Sequence, residues 1–125
     1  MKNKTTGDVD VSGWSIQGGT QGPSTLGTFS DNTIIAAGGY LVVGGDQAFS
    51  ELGDVPDVVF DVSLGNATSN TDGIQLIDCS ETIIDVVIYG DSNDDGWTDE
   101  QGNEVVGLIN LNSAQCCRFT AMVSL

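Results

Sequence analysis

The chain reads as a small all-β sandwich, and three observations say so. Short apolar or alternating runs recur along it with turn residues between them. Glycine supplies 17 of its 125 residues, and the connectors that gather them are where tight turns need that backbone freedom. Of the 18 acidic residues 14 are Asp and 4 are Glu, a skew toward turns and away from helix interiors. With 39% hydrophobic residues, the chain is long enough for one domain, residues 1–125, that buries roughly two-thirds of its unfolded surface.

In chain order the predicted strands are residues 9–11 leading into 14–17, then 25–29, 33–35, 40–43, 58–62, 73–77, 82–89, 105–110 and 118–123. The one helix-like stretch is residues 46–52, a single turn that Asp46 caps and Gly53 ends. Trp14, followed by Ile16 on a strand, is a natural anchor between two sheets, since an indole buries on the order of 200 Å². Tyr40 is expected in the core with it. In residues 82–89 the strand period puts Ile83, Asp85, Val87 and Tyr89 on one face and Ile84, Val86 and Ile88 on the other. Neither face is plainly the wet one. The strand is either central and covered on both sides, or its second face is an interaction surface.

Charge excludes some functions. Eighteen acidic residues against three basic ones leave a net charge of −15, which repels nucleic acid and anionic headgroups. Proteins, polycations and metal ions stay open as partners. The absence of His removes the usual general base and every Ser-His-Asp or Cys-His arrangement, so no catalytic residue is assigned and a non-enzyme is expected. Cys79, Cys116 and Cys117 make an odd count without metal spacing; one bridge from Cys79 and three reduced thiols are both open. No apolar run is long enough to span a membrane, and the basic start of the chain lacks the apolar core of a signal peptide.

Three ordered segments then point to a family. They are Asp10-Val-Ser-Gly-Trp14, Ile35-Ala-Ala-Gly-Gly-Tyr-Leu-Val-Val43 and Asp85-Val-Val-Ile-Tyr-Gly90. Together, over roughly residues 8–111, they resemble the lamin tail domain family. The resemblance implies an immunoglobulin-like β-sandwich and a non-catalytic interaction or anchoring role. It further implies an accessory piece of a larger extracellular or cell-envelope protein, because no coiled-coil heptads are present to make a filament. Two departures stand out. The family's opening strand is truncated, at most its end surviving at residues 2–6, and the chain from Ala114 carries no family pattern. A missing edge strand leaves unpaired backbone groups, which allows self-association through an open sheet edge.

One segment stands apart from the scaffold. Asp91, Asn93 and Asp95 alternate, Gly96 follows, and Asp99 lies four beyond Asp95. This spacing matches the early positions of a calcium loop, with the Trp97 carbonyl as a backbone ligand. The twelfth position is Gly102 rather than Glu, so Glu100 or Glu104 would have to close the shell. The competing reading is a solvated acidic connector. Calcium binding here would make a calcium-dependent adhesion or surface module. Asn3-Lys-Thr5 and Asn66-Ala-Thr68 match glycosylation sequons, a pattern that matters only in a eukaryotic secretory setting.

Overall fold

In a computed structural model of the chain, the described residues are 1–19, 22–45, 56–60, 71–90 and 93–106. Every regular element among them is a strand: β1 (Val9–Asp10), β2 (Ser15–Gly19), β3 (Ser24–Thr28), β4 (Ile34–Ile35), β5 (Val43–Gly44), β6 (Val58–Val59), β7 (Thr71–Ile77) and β8 (Ile83–Gly90). One layer is a four-stranded antiparallel sheet in the order β3-β2-β7-β8. The other is built from the antiparallel pair β1-β4 and the parallel pair β5-β6. The protein is all-β, with the sheets arranged as a sandwich.

The core lies between the layers. Val11, Ile16, Phe29, Ile35, Leu41 and Leu76 are buried together, and Leu26, Val43, Val58, Phe60, Ile74 and Ile84 pack against them. Strand period explains the membership: Ile16 faces Leu76 across the β2–β7 ladder, and both sit on the inner face. Gly27, the partner of Ile16 on β3, leaves room for the opposite layer to come close. A Cβ on Gly27 would fall inside the Phe60 ring, which also meets Phe29 with centroids 5.3 Å apart.

The N-terminal residues are sewn to the second layer. Asn3 N–H donates to the Gly39 carbonyl at 2.9 Å, Leu41 N–H donates to the Met1 carbonyl at 2.9 Å, and Lys2 bridges Tyr40. Asn3 is 0% exposed. Its Nδ2 donates to the carbonyls of Gly7 (2.8 Å), Ile35 (2.9 Å) and Ala36 (3.2 Å), while Oδ1 accepts from the Thr5 amide and hydroxyl. A glycan on Asn3 is incompatible with this packing, so that sequon is a structural pattern.

Several expectations are corrected. Among the described strands β2 and β7 are interior, β7 being buried at six of its seven positions, whereas β8 ends the sheet order. Tyr40 is not a core residue: it is 65% exposed, because Leu41 takes the inward position of that run. The Lys2 ammonium lies 5.1 Å from the centre of its ring. Trp14 is half-buried against the core, and the buried indole of the molecule's described part is Trp97. The run at 40–43 gives a strand only at Val43–Gly44; within the run at 58–62 Val58–Val59 is a strand, and residues 61–62 lie outside the described residues. Val105 and Val106 are described and are not in a strand. The rest of the expected strand at 105–110, the helical turn at 46–52, the strand at 118–123, Cys116 and Cys117 lie outside the described residues. Cys79 is a free, exposed thiol.

Candidate functional site

The acidic segment after β8 folds back over the outer face of the four-stranded sheet. It starts with a turn at Asp94–Asp95, followed by Gly96 at φ 73°. The chain then forms a small hairpin. Val105 N–H donates to the Trp97 carbonyl at 3.0 Å, Thr98 bridges Glu104, and Asp99 N–H donates to the Asn103 carbonyl at 2.8 Å.

Asn93 holds the entry of this hairpin. Its Nδ2 donates to the carbonyls of Trp97 (2.7 Å) and Val105 (2.9 Å), and its Oδ1 accepts the Trp97 N–H (2.9 Å). Asp94 N–H donates to the Thr71 hydroxyl at 2.9 Å, which docks the turn on the start of β7. Trp97 is thereby pressed onto Gly73, where an added Cβ would lie 2.8 Å from the indole. Only 3% of Trp97 is exposed. Ile88, the cross-strand partner of Gly73, is buried on the same face. The indole N–H finds no acceptor among the described residues.

Asp99 works at the far end. Its Oδ1 accepts the N–H of Gln101 (2.9 Å) and of Asn103 (2.7 Å), and its Oδ2 accepts the Asn103 carboxamide (3.0 Å). The donating Asn103 carboxamide, together with those main-chain N–H groups, holds the Asp99 carboxyl below its usual value. The Gly102 N–H closes the turn on the Asp99 carbonyl at 2.9 Å, with Gly102 at φ 79°. This is a hairpin turn capped by an aspartate.

Of the five residues whose spacing suggests calcium, the fold brings Asn93 and Trp97 together. Their oxygens are already engaged: Asn93 Oδ1 accepts one hydrogen bond, and the Trp97 carbonyl accepts two. Asp95 is exposed on the turn, and Asp99 caps the opposite end of the hairpin. Asp91 lies outside the described residues. Glu100 accepts from its neighbour Gln101, and Glu104 is exposed beside Thr98. Among the described residues no three acidic or thiol side chains converge as metal ligands would. The local pattern is a self-bonded hairpin whose organising residues are Asn93, Trp97 and Asp99.

Spacing alone concealed the role of Trp97, which the sequence reading used only as a backbone carbonyl. The run Asp99-Glu-Gln-Gly102-Asn103 carries a turn signal that would have revealed the hairpin. Residues of the ordered segments at 10–14 and 35–43 occupy scaffold positions. Asp10 Oδ1 accepts the Ser12 N–H at 2.9 Å and so shapes the corner where the chain passes from β1 to β2. The Trp14 carbonyl accepts the Phe29 N–H, and Gly38-Gly39 make the turn before Tyr40. Compared with models of known protein families the sequence matches none, and no curated protein matches it either.

Proposed function

We propose that this chain is a non-catalytic interaction module of the lamin tail domain type, an immunoglobulin-like sandwich that anchors or docks a larger extracytoplasmic protein. The observation that carries this reading is the outward side of the second layer. Ile34, Tyr40, Val42 and Val59 alternate with the inward-facing Ile35, Leu41, Val43 and Val58, and all four are exposed. Four exposed apolar side chains in an otherwise acidic protein suit a protein partner with a mixed apolar and basic surface. Asp10, Trp14, Ile35 and Gly38 of the motifs support the reading in a second way, since they serve a corner, a turn or the core.

The test is a photo-crosslinking amino acid at position 40, in source cells that make the whole protein. A discrete protein adduct is expected from position 40 and none from position 104, which lies on the acidic hairpin. Adducts at neither position, or equal smears at both, would defeat the proposal. Repeating the reaction with a calcium chelator separates the rival calcium-dependent module, for which the adduct would disappear.

A further inference from the structure

We infer that the Asp95–Gly96 bond is a site of spontaneous covalent modification, the isomerisation of Asp95 to isoaspartate, and that this change unseats Trp97. The chain holds two Asp-Gly pairs, Asp72–Gly73 and Asp95–Gly96. The fold treats them oppositely.

The chemistry needs only water. The Gly nitrogen attacks the protonated side-chain carboxyl of the preceding Asp; a C–N bond forms, a C–OH bond breaks, and one water leaves with the amide proton. The resulting five-membered imide then takes up one water. Opening at the side-chain carbonyl restores Asp. Opening at the main-chain carbonyl breaks the original peptide C–N bond and leaves the chain running through the Asp side chain. Mass is unchanged, and no oxidant or reductant takes part.

Access decides which pair reacts. Asp95 and Gly96 are both exposed, and no described residue other than their chain neighbours has an atom within 4 Å of where a Gly96 Cβ would stand. The turn is thus open to solvent and free of packing from the rest of the described chain, so it can flex toward the ring-closing geometry. Asp72 is 1% exposed, and Gly73 is paired in register with Gly19 on one side and Ile88 on the other beneath the Trp97 indole. Cyclisation there requires the ladder to open.

Position matters for the outcome. Residue 95 lies between Asn93 and Trp97, whose side-chain-to-backbone bonds of 2.7 and 2.9 Å span the turn. An extra main-chain carbon within that span lengthens the bracket and draws Trp97 off Gly73.

Ageing the full chain at neutral pH and physiological temperature, followed by peptide mapping with electron-based fragmentation, tests the inference. Isoaspartate is expected at 95, and at 72 it forms slower by roughly 10³-fold or more, the equilibrium constant against global opening. The aged protein should melt at a lower temperature in proportion to its isoaspartate content. Asp95→Glu, which would need a slower six-membered imide, should keep its melting temperature through the same ageing. Chain unfolded in guanidinium serves as the control in which both pairs react. Equal rates at 95 and 72 in folded protein, or no product at 95 while the unfolded control reacts, would overturn the site. Isoaspartate at 95 with unchanged melting would overturn its coupling to Trp97.

Discussion

Asn3 shows how much a single polar side chain does here. Its carboxamide reaches carbonyls from three positions and receives two donors, tying residues 1–7 to the turn that follows β4. Replacing Asn3 with Ala removes all of these bonds from a buried position and should cost about 3 kcal/mol, read as a lower denaturation midpoint with an unchanged slope. Asn3→Asp should be equally harmful, because a carboxylate would face carbonyl oxygens. A change below about 0.5 kcal/mol, the range of ordinary surface substitutions, would show that the side chain is not the pin. Asp99 makes a pH prediction. Its folded-state pKa is lowered, chiefly by the Asn103 carboxamide, so its contribution is present above the unfolded value of 3.8 and is lost as pH falls through the folded value. The melting-temperature deficit of Asp99→Ala relative to wild type should thus be full at neutral pH and shrink below pH 3.8. A deficit independent of pH would assign the effect to packing instead.

Two hairpins use one turn design. Asp78 Oδ1 accepts the N–H of Ser80 (2.8 Å) and Thr82 (2.9 Å), as Asp99 Oδ1 accepts those of Gln101 and Asn103. In each the fourth residue adopts a left-handed conformation, Gly102 at φ 79° in one and Glu81 at φ 63° in the other. The glutamate pays a steric penalty of roughly 1–2 kcal/mol, whereas Gly there adds unfolded-state entropy of only about 0.5–1 kcal/mol. Steric relief outweighs the entropy, so Glu81→Gly should stabilise the protein by roughly 0.5–1 kcal/mol and raise the melting temperature by a few degrees. Destabilisation would mean that the Glu81 side chain makes a contact worth more than its strain. The sheet's two glycines under aromatic rings follow a shared logic as well. Gly27 admits Phe60 on the inner face, and Gly73 admits Trp97 on the outer one.

Across the whole molecule, a net charge of −15 sets the electrostatic background. Self-repulsion of that size opposes compaction, and it is screened over about 10 Å at 0.1 M salt but about 3 Å at 1 M. Raising NaCl should therefore raise the melting temperature. Calcium and magnesium chlorides at equal concentration should raise it equally, since the described hairpin closes through its own hydrogen bonds. An excess for calcium would mark a specific site on the segment from Asp91 to Asp99.

Local chemistry made much of this legible in advance. Short apolar or alternating runs bounded by turn residues placed β2, β3, β7 and β8 to within two residues, because such runs can bury side chains only in extended backbone pinned between turns. Gly38 and Gly96 announced their turns for the same kind of local reason. Tertiary structure alone decided the rest. Whether Tyr40 or Leu41 faces the core depends on register with the other layer, not on either residue. Trp97 is buried and Trp14 only half-buried because the acidic hairpin folds over Gly73, a contact between residues far apart in the chain. Asn93 and Asp99 carry the oxygens of a metal loop in their sequence, and the fold directs them to main-chain N–H groups instead. Spacing specifies which oxygens could meet, but only the packed chain specifies what each one meets first.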